Sequence, residues 1–177
     1  MMNDEAPRLI VIVGFMGSGK TTIARQLARL LECQSIDLDE LISERERRGP
    51  REIIEQSGEA EFRRIEGETL RHVLNEQSGD HTTRVIALGG GAWTIKTNRD
   101  LIGRLDGVTV WLDAPFETCW QRIEAQVATR PLASSREKAA ILYQQRRTLY
   151  ELARIHVPLL GTETAPEAAS TIESALA

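Results

Sequence analysis

Short apolar runs alternate with longer stretches of helical periodicity along most of the chain. Leu9-Ile10-Val11-Ile12-Val13 is continuously apolar, as a strand buried on both faces should be. Thr21–Leu31 follows with Ile23, Leu27, Leu30 and Leu31 at helical spacing, which predicts a helix. A short second strand is expected over Gln34–Ile36, leading into Asp37-Leu38-Asp39. Helices are expected over Leu38–Arg47, stopping before Gly49-Pro50, and over Arg51–Gln56, stopping at Ser57-Gly58. Glu59–Asn75 reads as a longer helix with Phe62, Ile65, Thr69 and Val73 along one face. After the polar loop Ser78–Thr83, a third strand over Val85–Leu88 runs into Gly89-Gly90-Gly91. A helix over Asn98–Leu105 precedes a fourth strand, Val108–Leu112, ending at Asp113. Pro115 suits the first turn of the next helix, which should reach about Val127. Thr129–Arg136 is polar and irregular, Glu137–Ile155 is helical, His156–Leu160 forms a short last strand, and Pro166–Leu176 a closing helix.

Strands separated by helices imply a parallel sheet with helices on both faces and right-handed crossovers. Ligands of such sheets bind beyond the carboxyl ends of the strands. Gly14–Thr21, Asp37–Asp39, Gly89–Gly91 and Asp113 each follow a strand, so they should meet at one edge of the sheet.

Composition narrows the class. A length of 177 residues suits one domain with a real core. With 41% hydrophobic and 27% charged residues, the chain reads as ordinary and globular. A net charge of −4 argues against a general nucleic-acid binder, yet leaves room for an anionic substrate held by a few focused arginines. No run of about 18 apolar residues is present to span a membrane. The start, MMNDEAPR, lacks an apolar signal region. Cys33 and Cys119 have neither metal nor redox spacing, so free thiols in a reducing cytoplasm are expected; a monomer is expected separately. His72, His81 and His156 show no ligand spacing, and the charge run Glu44–Arg48 reads as a solvated helix face.

The chemistry begins at GFMGSGKTT, Gly14 to Thr22, directly after the first strand and opening the first helix. It satisfies GxxxxGK[ST] at every fixed position, in the strand–turn–helix setting that this phosphate-binding loop requires. Gly14, Gly17, Ser18, Gly19, Thr21 and Thr22 are candidate nucleotide contacts, through backbone N–H groups that can cradle a polyphosphate. Lys20 can reach the β- and γ-phosphates, and the Thr21 hydroxyl can sit on Mg²⁺. ATP with Mg²⁺ is therefore the expected cofactor pair.

Further features then line up in order: Asp37-x-Asp39, Glu61-Phe62-Arg63, Gly89-Gly90-Gly91, Thr129-Arg130-Pro131-Leu132, and Arg146 four residues before Tyr150. Together with the loop, their order and spacing resemble the shikimate kinase family, from about Leu9 to Val157. The resemblance implies a nucleoside monophosphate kinase-like fold: a five-stranded parallel sheet in the order 2-3-1-4-5 within one domain spanning residues 1–177. It also implies a shikimate-binding region over roughly Glu40–Phe62 and a lid over roughly Ala128–Glu137. Arg63 and Arg146 match the family's carboxylate-binding arginines, a role suited to a planar guanidinium that grips a carboxylate with two hydrogen bonds. Arg147 stands beside Arg146, and register alone selects Arg146; Arg64 stands beside Arg63. Read without the resemblance, Arg63 is an exposed helix arginine.

Asp39 matches the aspartate that contacts the hydroxyl to be phosphorylated, as an orienting group first and a base second. The competing reading is that Asp39 caps a helix beginning near Glu40; both could hold, but a cap alone would not need the neighbouring Asp37. Asp37 matches the acidic residue near Mg²⁺, while Asp113, after the fourth strand, is the competing metal-side aspartate. Gly89, Gly90 and Gly91 would let substrate approach the backbone closely. Lid closure would bring Arg130 onto the transferring phosphate and exclude water. Arg122 is the nearest match to the adenine-side arginine. Departures from the family pattern are a smaller, more polar lid at Ala133 and Ser134, Thr148 in place of a proline, and Trp93 where a smaller apolar residue is common. Trp93 either narrows the substrate pocket or packs against the sheet; Trp111 and Trp120 read as packing residues.

The expected activity is transfer of the ATP γ-phosphate to the 3-hydroxyl of shikimate in aromatic biosynthesis. The alternatives are a kinase for gluconate or another small hydroxy acid, and a nucleotide-binding regulator without turnover.

Overall fold

The computed structural model describes residues 9–75, 83–125 and 135–176. Its centre is strand β1 (Leu9–Val13), all five of whose residues are buried. Each fully buried Val or Ile side chain there contributes about 1.5–3 kcal/mol relative to an exposed one, which is why an uninterrupted apolar run occupies the middle of the sheet. The neighbours of β1 are β3 (Arg84–Ala87) and β4 (Val108–Asp113); β2 (Gln34–Asp37) and β5 (Ile155–Pro158) form the edges. The order β2-β3-β1-β4-β5 is the expected 2-3-1-4-5, and all four pairings are parallel. Every carboxyl end therefore emerges at one edge, where Gly14, Leu38, Leu88 and Ala114 continue the chain.

Helix α1 (Lys20–Leu30) packs against β2, β3 and the C-terminal helix α8 (Ala165–Leu176). Helices α2 (Leu38–Glu46), α3 (Pro50–Ser57) and α4 (Glu59–Asn75) pack on one another, with α4 also touching α5 (Lys96–Arg104). Phe62, Ile65, Thr69 and Val73 are buried along α4, as their spacing predicts. Helices α6 (Phe116–Glu124) and α7 (Arg136–Tyr150) follow β4 and pack together. Among the described residues no helix is long and apolar enough to cross a membrane.

The boundaries differ from expectation where tertiary pairing overrides local pattern. Helix α7 stops at Tyr150 instead of running to Ile155, because β5 must start at Ile155 to pair with Val110 of β4. Residues 151–154 make the turn, with the Ala153 N–H donating to the Tyr150 carbonyl at 2.9 Å. Strand β3 begins at Arg84 because Leu9 and Gln34 pair with it on either side. After the three glycines comes a 3₁₀ turn, Ala92–Thr94, that the apolar pattern did not announce. Trp111 and Trp120 are core residues, as expected.

Candidate functional site

The loop between β1 and α1 has the geometry its glycines suggest. Gly19 takes φ 94° at the N-cap of α1, a left-handed conformation that favours glycine. Its absent side chain leaves the first-turn N–H groups of α1 without a side-chain cap and directed at the cleft. Gly17 is required for packing as well: a Cβ there would lie 2.5 Å from the Cys119 carbonyl oxygen of α6. Ser18 Oγ is buried and has no hydrogen-bond partner among the described residues. An unsatisfied buried hydroxyl inside a nest of backbone donors fits a polyphosphate. Lys20 Nζ donates to the Phe15 carbonyl at 2.9 Å, which holds the ammonium across the loop. Arg122 Nη1 donates to the Gly17 carbonyl at 3.0 Å, which ties this guanidinium to the loop where it lines the cleft.

Asp37 joins the loop to the acceptor side. Its Oδ2 accepts from the Thr21 hydroxyl at 2.5 Å, and its Oδ1 accepts from the N–H groups of Asp39 at 2.9 Å and Glu40 at 3.1 Å. Asp37 is thus the N-cap of α2, and the alternative that Asp39 does the capping is corrected: Asp39 stands in the first turn. The Thr21–Asp37 pair offers hard oxygen donors suited to Mg²⁺, which commonly takes one or two carboxylates plus phosphates and water. No group of three or more His, Cys, Asp or Glu side chains able to hold a metal occurs among the described residues. The rival Asp113 is engaged elsewhere, accepting from both Arg147 Nη atoms at 2.9 Å.

Across the cleft, four charged side chains gather around the three glycines. Glu66 is fully buried and pairs with Arg63 Nη1 at 2.8 Å; Arg63 Nη2 reaches Glu59 at 3.2 Å. A Cβ on Gly89 would lie 2.6 Å from Asp39 Oδ1 and 2.9 Å from Glu66 Oε1. One on Gly90 would lie 3.4 Å from Arg146 Nη1, and one on Gly91 would run into the Arg63 guanidinium. Each glycine thus makes room for a different member of the cluster. Burial pushes the Glu66 carboxyl above its ordinary value; Asp39 adds to this and the Arg63 and Arg146 guanidiniums oppose it. Arg146 is buried, with the Tyr150 hydroxyl donating to the Gly90 carbonyl at 2.5 Å one turn later. The neighbouring arginines point elsewhere: Arg64 pairs with Glu61 and Glu68, Arg147 with Asp113. Trp93 packs in the core and donates from its indole to the Leu149 carbonyl at 2.8 Å. Arg130, most of the expected lid and His81 lie outside the described residues.

A cleft of about 430 Å³ runs along the phosphate loop and reaches Asp39 and Gly90 beside the cluster. Lys20, Thr21, Thr22, Asp37, Asp39 and Gly90 line it, and it continues past Arg122 to Leu159, Gly161 and Glu163. The last three had no signal in the sequence; they reach the cleft on the loop between β5 and α8. The Glu163 carboxylate shapes that loop by accepting from the N–H groups of Leu160 at 2.7 Å and Gly161 at 2.9 Å. Glu66 was also missed, although a carboxylate on the apolar face of Phe62, Ile65, Thr69 and Val73 was a visible anomaly.

A family model described as Shikimate kinase matches residues 16–177. The chain belongs to the shikimate kinase family. It is 34% identical over 148 residues to a shikimate kinase of Sulfurihydrogenibium sp., covering 84% of this chain and 86% of that one. It is 37% identical over 155 residues to a shikimate kinase of Gloeobacter violaceus, covering 86% and 84%. Among solved structures, the shikimate kinase from Acinetobacter baumannii in complex with shikimate superposes with a TM-score of 0.88 at 31% identity, over 97% of this chain and 94% of that one. The resemblance drawn from scattered motifs thus extends, in this shikimate kinase family member, to the whole fold.

Proposed function

We propose that this chain transfers the γ-phosphate of ATP to the 3-hydroxyl of shikimate, giving shikimate 3-phosphate and ADP in aromatic biosynthesis. The observation that carries the reading is a phosphate-loop cleft that reaches Asp39 and Gly90, with Arg63, Glu66 and Arg146 gathered around the same run of glycines. Shikimate carries one carboxylate and three ring hydroxyls, so it needs a cation at one end and an oriented acceptor at the other. Arg63 and Arg146 supply the first through charge-assisted, forked hydrogen bonds. Asp39 supplies the second, aligning the 3-hydroxyl and offering an acceptor for its proton. The oxygen–phosphorus bond forms as the phosphoanhydride bond breaks, and ADP departs.

The remaining roles follow from position. The N–H groups from Gly14 to Thr22 hold the phosphates, with Lys20 at the β- and γ-phosphates and Arg122 toward the base. The Thr21 hydroxyl and, through water, Asp37 would hold Mg²⁺, which supplies charge neutralisation for the transferring group when bound. Arg130 is assigned to the transferring phosphate by its place in Thr129-Arg130-Pro131-Leu132. All these residues come from one chain, so the reading needs no partner subunit. Cys33 and Cys119 are free thiols, consistent with a reducing cytoplasm.

The test is a coupled ADP-release assay with shikimate, gluconate and other small hydroxy acids. Turnover on shikimate well above the others is expected. No turnover on shikimate together with good turnover on gluconate overturns the reading.

A further inference from the structure

We infer that Trp93 is a positioning residue for acid binding: its indole N–H ties the last turn of α7 to the glycine turn and so sets the place of Arg146. The inference rests on the proposal that Arg146 holds the substrate carboxylate. Two bonds lace α7 to this turn. The Tyr150 hydroxyl donates to the Gly90 carbonyl at 2.5 Å, and the Trp93 indole donates to the Leu149 carbonyl at 2.8 Å. Leu149 holds one of the four terminal carbonyls that a helix cannot satisfy by its own i→i+4 pattern. That carbonyl also accepts from the Leu152 N–H, at a longer 3.2 Å. Arg146 lies one turn before both anchor points, and its guanidinium faces Gly90. Movement of this last turn moves Arg146 with it.

Trp93 is itself held from behind. Arg99 Nη1 donates to the Trp93 carbonyl at 2.7 Å, with its guanidinium carbon 5.9 Å from the ring centroid. Asn98, also buried, donates to the Ala92 carbonyl at 3.0 Å. Helix α5 therefore braces the 3₁₀ turn, the turn braces α7, and α7 carries Arg146. Indole has one polar atom, a donor, and burial obliges it to find an acceptor. A smaller apolar side chain at this position fills space without making this bond. Of the two roles open to Trp93, packing and pocket shaping, the geometry points to a third that needs the nitrogen.

The experiment uses the full chain with Trp93→Phe, which keeps an aromatic ring and loses the donor. The KM for shikimate should rise about threefold to tenfold, since sub-ångström misplacement of a binding group is costly in an aligned site. The KM for ATP and the kcat should stay within about twofold of wild type, on the same reasoning that the phosphate loop is not touched. In an Arg146→Lys background the same change should add no further rise, because its effect passes through Arg146. Hydrogen exchange of the amides at 147–150 should accelerate in Trp93→Phe without loss of cooperative unfolding. Arg99→Leu, which releases the brace, should shift the KM in the same direction by less. If wild type prefers another acid, the proposed acceptor fails while the KM comparison is read on that acid; if it turns over none, the exchange measurement decides. An unchanged KM for the acid, an equal rise for ATP and acid, an additive effect with Arg146→Lys, or unchanged exchange at 147–150 each overturns the inference.

Discussion

Removing Arg63 should cost stability as well as acid binding, because it is the main counter-charge of a buried carboxylate. Glu66 is fully buried, and the side chain of Arg63 is only 19% exposed, so water screens their 2.8 Å pair poorly. At an effective dielectric of about 20, charges at that spacing attract by about 6 kcal/mol, most of which is offset by the cost of desolvating Glu66. Arg63→Ala removes the attraction and leaves the desolvation, so a loss of about 3–5 kcal/mol at pH 8 is expected. That is a large part of a typical domain stability of about 5–15 kcal/mol. The loss must depend on pH. The Glu66 carboxyl is already raised above 4.5 by burial, and losing Arg63 raises it further. A raised acid binds its proton more tightly in the folded state, so stability falls as pH climbs above 4.5 through the raised value. Well below pH 4.5, where Glu66 is neutral in both states, most of the Arg63→Ala penalty should vanish. Adding Glu66→Leu should recover most of it at pH 8, since no buried charge is then left unpaired. Urea unfolding of wild type, both single variants and the double variant at the two pH values reads all of this. A cost below about 1 kcal/mol at pH 8, a cost independent of pH, or no recovery in the double variant refutes the reasoning.

Other consequences are more local. Lys20→Ala should abolish turnover with the fold intact, because the β- and γ-phosphates lose their direct cation; near-normal turnover in the ADP-release assay would contradict the loop assignment. Asp37→Asn should keep the α2 cap, since Asn caps as well as Asp, while the Mg²⁺ concentration for half-maximal rate rises; Asp37→Ala should additionally cost about 1 kcal/mol in thermal unfolding. Equal stability losses in the two Asp37 variants would argue that the cap is not what Asp37 contributes to folding. Gly89→Ala pushes a methyl into Asp39 and Glu66, so kcat should fall by about tenfold to a hundredfold at nearly unchanged KM for ATP. Wild-type kinetics in that variant would place Asp39 away from the acceptor.

What the sequence determined by itself is whatever physics confines to neighbouring residues. A phosphate loop is one contiguous turn, and GFMGSGKTT already contains its glycines, its cation and its hydroxyl. Apolar runs of strand length separated by helical periodicity dictate a parallel layered sheet, and the motif order brought its 2-3-1-4-5 arrangement through family likeness. Family likeness, not periodicity, singled out Arg63 and Arg146; helical register then accounts for the neighbours Arg64 and Arg147 pairing elsewhere, with Glu61 and Glu68 and with Asp113. Tertiary structure decided the rest. It made Asp37 the cap of α2 and the partner of Thr21, committed Asp113 to Arg147, and ended α7 early so that β5 could pair. It buried Glu66 against Arg63, brought Gly161 and Glu163 to the cleft, and hung the last turn of α7 on Trp93. These outcomes turn on contacts between residues far apart in the chain, whose energies depend on burial and distance. Composition and periodicity carry neither quantity; only the packed sheet edge supplies both.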